Sequence, residues 1–185
     1  MLASPASAAR ERILLAAHDL FYRDGIRATG IDRVIAESGV AKLTFYRHFP
    51  SKNELVLEFL EYRHRRWMDW FADALWRNGG DATALVPALA EWFGSRDFRG
   101  CAFINSVGEL GGSQPEVAAV ARRHKLDMAE EIAKLLRPSR RRRQLAQDLA
   151  VVVDGAIIRA QFDQSPDAAL ASLERILKSL SQQTR

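Results

Sequence analysis

The spacing of apolar residues along the chain is the feature that most limits its fold. Apolar side chains recur three and four positions apart, as in Ile13, Ala17 and Leu20, which places them on one face of an α-helix. No stretch alternates apolar and polar residues for more than a few positions, as a half-buried β-strand would. The spacing therefore predicts an all-α fold.

Residues 1–52 are predicted to form three helices. Asp24-Gly25 ends the first helix, and Thr29 is suited to capping a short second one. Gly39 then permits a tight turn before a third helix over residues 42–49. Two short helices joined by such a turn form a helix-turn-helix.

The rest of the chain is predicted to be a helical body. Ser51 and Glu54 have the spacing of a capping box, which indicates the start of a long fourth helix ending near residue 77. Similar start signals farther along bring the expected number of helices to about nine. We therefore predict two domains, a helix-turn-helix head at residues 1–52 and a helical body at residues 53–185.

The positive charge of the chain is concentrated in its first quarter. The whole chain carries 27 Lys and Arg against 23 Asp and Glu, a formal net charge of +4. Eight of these basic and five of these acidic side chains lie in residues 1–52. A small basic segment on a balanced body is typical of a nucleic-acid-binding head, although a solvated charged surface has the same pattern.

The predicted third helix carries side chains that suit contact with DNA. Phe45 and Phe49, four residues apart, are expected to anchor its inner side, and most of the outward side chains are hydrogen-bond donors. Such a helix fits the major groove, although a purely structural or protein-binding helix-turn-helix is the alternative. The predicted contacts to bases and phosphates come from Lys42, Thr44, Tyr46, Arg47, His48 and Lys52.

Residues 29–52, TGIDRVIAESGVAKLTFYRHFPSK, resemble the DNA-binding region of the TetR family of bacterial transcriptional regulators. The resemblance implies a homodimer with one DNA-binding head per subunit and a C-terminal domain that usually binds a small ligand, which releases the DNA. It also adds Thr29, at the start of the second helix, to the expected DNA contacts. Leu43 departs from the family pattern, since many members have glycine at this position.

Two C-terminal segments are predicted to form the interface between subunits. Residues 143–163 are apolar around most of a helix, and such a helix must be covered on two sides. The last helix has another wide apolar face, so the two suit a four-helix bundle with their copies, as the family resemblance also implies. A monomeric core is the alternative. The predicted interface residues are Leu149, Val152, Ala156, Leu173 and Leu177.

Aromatic residues of the body are predicted to line a pocket. Three tryptophans lie on the fourth helix and a fourth follows on the fifth, while Asn105 and Glu109 share a helix face that offers polar anchors. Such a lining suits a small apolar or amphipathic effector, and packing of these rings into the core is the alternative. The predicted lining is Trp67, Trp70, Phe71, Trp92, Phe93, Cys101, Asn105 and Met128.

Other classes of protein are not favoured. No nucleophile elbow, metal-ligand cluster or glycine-rich phosphate loop is present in the sequence, so we expect no catalytic residue, metal or cofactor. The lone Cys101 indicates a reducing compartment. The apolar stretch at residues 149–158 is too short to span a bilayer, and the first ten residues lack the pattern of a signal peptide.

The sequence thus predicts a cytoplasmic DNA-binding regulator of transcription. The favoured form is a homodimeric repressor that a small ligand releases from a palindromic operator in double-stranded DNA. The alternative is a constitutive DNA-binding protein whose aromatic residues are simply core.

Overall fold

The structure, a computed structural model, describes residues 5–163 and 165–183. Over these residues it contains nine α-helices, a short 3₁₀ helix at Ala82–Ala84 and no β-strand, which confirms the predicted all-α fold. The helices are α1 (Pro5–Asp24), α2 (Ile31–Ser38), α3 (Lys42–His48), α4 (Lys52–Arg77), α5 (Leu85–Phe93), α6 (Ala102–Leu110), α7 (Pro115–Lys134), α8 (Arg142–Phe162) and α9 (Asp167–Gln183).

The described residues divide into two compact units. Unit 1 comprises residues 5–64 and 102–121, and unit 2 comprises residues 65–101, 122–163 and 165–183. Unit 1 is larger than the predicted head, since it also takes in the first half of α4 and all of α6. The predicted division at residue 52 concerns function and stays a prediction.

The core of unit 1 is built on α1, which packs against α2 and α3. Ile13, Ala17 and Leu20 are buried at the predicted helical spacing. Phe21, also buried, meets the ring of Phe59 from α4 edge-on, with 5.5 Å between the ring centroids. The apolar face of α1 is therefore the platform that supports the two shorter helices.

The capping box predicted at the start of α4 is present. The Glu54 N–H donates to Ser51 Oγ at 3.2 Å, and the Ser51 hydroxyl lies 3.4 Å from Glu54 Oε1. These bonds satisfy groups that the first turn of a helix leaves without partners. The helix then continues to Arg77, as the sequence predicts.

The core of unit 2 covers most of the predicted interface residues within a single chain, and their contact with a second subunit stays a prediction. α8 packs against α9, and α9 also packs against α5. Four of the five predicted interface residues are buried by this packing within a single chain, and Val152 is half-buried. Side chains already covered by their own chain offer a partner little surface. The buried four are Leu149, Ala156, Leu173 and Leu177.

The opposite side of α8 carries exposed apolar residues instead. Val151 is 72% exposed and Phe162 is 71% exposed in the single chain. α8 is apolar on most of its circumference, and its periodicity alone does not tell which side the rest of the chain covers.

Truncation of Leu173 is expected to destabilise the folded chain itself. Leu173→Ala removes a fully buried side chain and should lower the free energy of unfolding by about 2–5 kcal/mol. Leu126→Ala, the same change on the exposed side of α7, should cost less than about 1 kcal/mol. Urea denaturation followed by circular dichroism measures both, and equal costs would contradict this description of the core.

Candidate functional site

The helix-turn-helix is formed by α2, the turn at Gly39 and α3. Gly39 ends α2 with φ 62° and ψ 30°, a left-handed conformation, and its N–H donates to the carbonyl of Ala36. Phe45 and Phe49 are fully buried, with 6.3 Å between their ring centroids. These two phenylalanines hold the inner side of α3, as predicted, and they leave its other side facing solvent.

The outer side of α3 presents mainly polar groups. Lys42 is exposed and its Nζ lies 3.3 Å from Asp32 Oδ1. Arg47 is exposed and reaches the Thr44 hydroxyl at 3.5 Å. Leu43, at 81% exposure, is the most exposed of the large apolar residues recorded in the described chain.

The remaining predicted DNA contacts on α3 are less exposed. Tyr46 is 39% exposed and meets the ring of Phe45 edge-on at 5.3 Å. His48, the last residue of α3, is half-buried. The structure thus gathers five of the seven predicted contacts on one short helix, and their contact with DNA stays a prediction.

Thr29 and Lys52 form hydrogen bonds within the protein, and their contact with DNA stays a prediction. Thr29 is 0% exposed and its hydroxyl donates to the carbonyl of Gly25 at 2.8 Å, so its side chain is not available to a phosphate in this structure. Lys52 is half-buried, and its Nζ donates to the carbonyl of Ile26 at 2.6 Å. Burial disfavours the charged ammonium, so the pKa of Lys52 is lowered. Both side chains bond to the turn between α1 and α2.

Glu109 of α6 binds the same turn, and the sequence did not indicate this contact. Its Oε1 accepts the N–H of Ile26 at 3.1 Å, and its Oε2 accepts the N–H of Arg27 at 2.7 Å. The partners are 83 and 82 residues apart in sequence, so no local spacing indicates the contact. Asn105, one turn earlier on α6, also belongs to unit 1.

An aromatic cluster in unit 2 contains most of the predicted effector residues. The ring of Trp67 stacks on Phe71 at 4.5 Å and meets Trp92 edge-on at 5.6 Å. Trp70 and Phe93 extend the cluster, with centroid distances of 6.1 Å to Trp67 and 5.9 Å to Trp92, respectively. Cys101 and Met128 are buried in the same unit. The rings do come together, and their contact with an effector stays a prediction.

The two indole N–H groups of this cluster differ in their partners. The N–H of Trp70 donates to Glu91 at 3.1 Å, and Arg77 pairs with the same carboxylate. The bonds from Arg77 and then Trp70 lower the pKa of Glu91. The Nε1 of Trp67 is buried and has no hydrogen-bond partner among the described residues. An unsatisfied buried donor costs about 1–3 kcal/mol, so this N–H is a place where an acceptor would be stabilised.

Two absences apply to residues 5–163 and 165–183. No group of three or more His, Cys, Asp or Glu side chains in this part of the chain is placed to hold a metal ion. None of the helices described there is both long and apolar enough to cross a membrane.

Comparison with known proteins identifies the first part of the chain. Residues 13–59 match the family profile described as bacterial regulatory proteins, tetR family. This segment contains α2 and α3 with part of α1 and the start of α4. A transcriptional regulator of the helix-turn-helix type from Lactococcus lactis is 24% identical over 132 residues, 69% of this chain and 67% of the relative.

Solved structures resemble the chain over nearly its whole length. A TetR-family transcriptional regulator from Streptomyces coelicolor is 29% identical, with a TM-score of 0.83 over 95% of this chain and 91% of its own. A regulator from Saccharomonospora viridis, solved in complex with choline, has a TM-score of 0.70 at 24% identity, covering 92% of this chain and 95% of its own. The likeness therefore extends through both units.

Proposed function

The chain belongs to the TetR family and is a DNA-binding transcriptional regulator, and from that premise we propose that it is a homodimeric repressor released from its operator by a small molecule. The observation that carries this proposal is α3, which is anchored inside by Phe45 and Phe49 and presents hydrogen-bond donors outside. A dimer bound to a palindromic operator in the cytoplasm would block access of other proteins to that DNA.

We propose that α3 enters the major groove with its first turn against the bases. Lys42 can donate to guanine, and Leu43 can contact the methyl group of thymine. The Lys42–Asp32 pair is exposed, and exposed pairs contribute at most about 1 kcal/mol, so Lys42 can exchange Asp32 for DNA at small cost. Tyr46 and Arg47, later on the helix, are suited to phosphates, which fix the docking angle.

Removal of donors from α3 is expected to weaken DNA binding without unfolding the protein. Lys42→Ala and Tyr46→Ala should each reduce affinity for a duplex selected from random sequences by about tenfold. Both side chains are at least partly exposed, so the melting temperature should hardly change. Arg140→Ala, which removes an exposed cation from unit 2, is the control. Gel shifts at full strength for both α3 variants would contradict the assignment.

We propose that the exposed side of α8 is the face that meets a second copy of the chain. Val151, Gly155, Ile158 and Phe162 are spaced four, three and four residues apart, which is the seam of a helix pair. A Cβ at Gly155 would meet nothing within 4 Å in the single chain, although glycine inside a helix costs about 1 kcal/mol relative to alanine. Close approach of a partner helix accounts for both observations. Dimerisation places two copies of α3 on one palindromic site.

A charge on this side of α8 is expected to separate the subunits. Val151→Arg and Phe162→Arg should give monomers by light scattering, because each places an arginine in the proposed apolar interface. Their helical content should be unchanged, since both positions are exposed in the single chain. Leu126→Arg, on the exposed side of α7, is the matched control and should leave the dimer intact. Dimers in both α8 variants would place the interface elsewhere.

We propose that the effector binds at the aromatic cluster and accepts a hydrogen bond from Trp67. The cluster supplies apolar surface, and the partnerless indole N–H supplies a donor. The choline complex of the Saccharomonospora viridis regulator is a precedent for a small ligand on this fold. Trp67 lies on α4, which begins at Lys52 in unit 1, so a ligand that displaces this helix can change the distance between the two heads.

The proposed donor predicts a preference among ligands of the same shape. 9-Fluorenone differs from fluorene chiefly by a carbonyl, as xanthone does from xanthene, so the ketone of such a pair should bind about tenfold more tightly. Trp67→Phe keeps the ring and removes the N–H, and it should abolish this preference. Tryptophan fluorescence and melting shifts measure binding, and gel shifts measure DNA release. Equal affinity within both pairs for the unmodified protein would contradict the proposed donor.

A further inference from the structure

The turn between α1 and α2 is held by side chains from three separate parts of unit 1. Thr29, within the turn, donates to the carbonyl of Gly25. Lys52, at the start of α4, donates to the carbonyl of Ile26. Glu109, on α6, accepts the N–H groups of Ile26 and Arg27. The backbone of a six-residue connection is thus bonded to both the next long helix and a distant one.

The shape of the turn fits the carboxylate of Glu109. Two consecutive N–H groups point to one carboxylate, an arrangement in which backbone dipoles hold an anion. Gly25 has φ 91°, a left-handed conformation that favours glycine, and a Cβ there would lie 3.4 Å from Glu109 Oε1, at the close end of ordinary contact. Hydrogen bonds to an ionised acceptor are about twice as strong as those between neutral groups.

The electrostatic environment connects Lys52 to the same carboxylate. Burial lowers the pKa of Lys52, and the negative charge of Glu109 acts in the opposite direction. The carboxylate therefore helps the partly buried ammonium to stay charged. Loss of the Glu109 carboxylate would therefore weaken two interactions of the turn. These are the hydrogen bonds from the N–H groups of Ile26 and Arg27 and the bond from Lys52 to the Ile26 carbonyl.

The position of this turn bears directly on α3. The turn leads into α2, and α2 leads through the Gly39 turn into α3. Lys52 follows α3 by four residues and ties the start of α4 back to the entry of α2. The segment before α2 and the segment after α3 are therefore both held at the backbone of Ile26. Its N–H donates to Glu109, and its carbonyl accepts from Lys52.

We propose that Glu109 and Lys52 are positioning residues that together set the orientation of α3, and that Lys52 supports DNA binding through the turn and not through a phosphate. This inference rests on the proposed DNA-binding role of α3 for its affinity readout. It makes α6, which is remote in sequence, part of the DNA-reading unit. It also replaces the role that the sequence suggests for Lys52.

The direction in which Glu109→Gln changes the affinity for DNA distinguishes a positioning role from a purely electrostatic one. Removal of a negative charge near a DNA-binding surface reduces repulsion of phosphates, so charge alone predicts tighter binding. A glutamine side chain has one acceptor oxygen, and its NH₂ group cannot accept the second N–H of the turn. Positioning therefore predicts the opposite result, weaker binding.

The experiment compares Glu109→Gln with Glu37→Gln, which removes an exposed carboxylate of α2 instead. Affinity for the selected duplex is measured at several salt concentrations. We expect Glu109→Gln to bind about tenfold more weakly and Glu37→Gln to bind as well as or better than the unmodified protein. Binding by Glu109→Gln that equals or exceeds the unmodified protein would overturn the proposal.

Lys52→Met provides the second variant and a different readout. If Lys52 acts through the turn, Lys52→Met lowers the affinity for DNA and hardly changes the slope of log affinity against log salt. If Lys52 instead contacts a phosphate, the variant reduces that slope by about 0.9 per contact. The double variant with Glu109→Gln should bind no more weakly than the weaker single variant, since both act on one turn. A reduced slope or additive losses would overturn the shared role.

Amide hydrogen exchange tests the turn without DNA. In Glu109→Gln, the N–H groups of Ile26 and Arg27 should exchange at least about tenfold faster, while buried positions of α1 such as Leu20 keep their rates. Unchanged exchange at Ile26 and Arg27 would overturn the proposal even if DNA binding changes. If the unmodified protein bound no selected DNA, the proposed function would fail. Hydrogen exchange at Ile26 and Arg27 would still test whether Glu109 holds the turn.

Discussion

The burial of Phe45 and Phe49 is the interaction on which the proposed DNA-facing surface depends. α3 has seven residues, and an isolated helix of that length is not stable in water. Each buried phenylalanine contributes about 1.5–3 kcal/mol, which fixes the helix from one side. Arg10 of α1 lies over the ring of Phe49 at 5.1 Å and closes this contact. Because the inner side is rigidly held, the outer side can carry donors and one exposed leucine without a role in folding.

A short helix-turn-helix also needs its connecting backbone to be satisfied. Backbone N–H and C=O groups that are shielded from water require partners, and the connection between α1 and α2 has no regular secondary structure to supply them. Thr29, Lys52 and Glu109 supply them from side chains. The sequence motif suggests DNA contact for such residues and does not show that they bond to the backbone of the turn. Thr29 and Lys52 lie inside the recognised segment, yet the structure gives both of them bonds within the protein.

The parts predicted from sequence are those that local rules determine. Helical periodicity, the capping box at Ser51 and the turn at Gly39 are local, and each is present where it was expected. The contact of Glu109 joins positions more than 80 residues apart, so no local rule can indicate it. The burial of the predicted interface residues within their own chain is also set by long-range packing. Apolar spacing identifies Leu149 and Val151 as hydrophobic, but only tertiary packing determines that Leu149 is covered by its own chain and Val151 is not.

The charged side chains of residues 1–52 have to be considered with their ion-pair partners as well as by their net charge. Arg23 and Arg33 both pair with Asp24, at 3.1 and 2.8 Å, and Arg10 pairs with Glu58 at 2.8 Å. Lys52 is directed to the backbone, so its charge is partly withdrawn from solvent. Exposed pairs are weak and exchange readily for phosphate, whereas a partly buried ammonium gives up a backbone bond to do so. The proposed contact with DNA therefore relies on exposed cations such as Lys42 and Arg47 of α3, which the two buried phenylalanines hold in place.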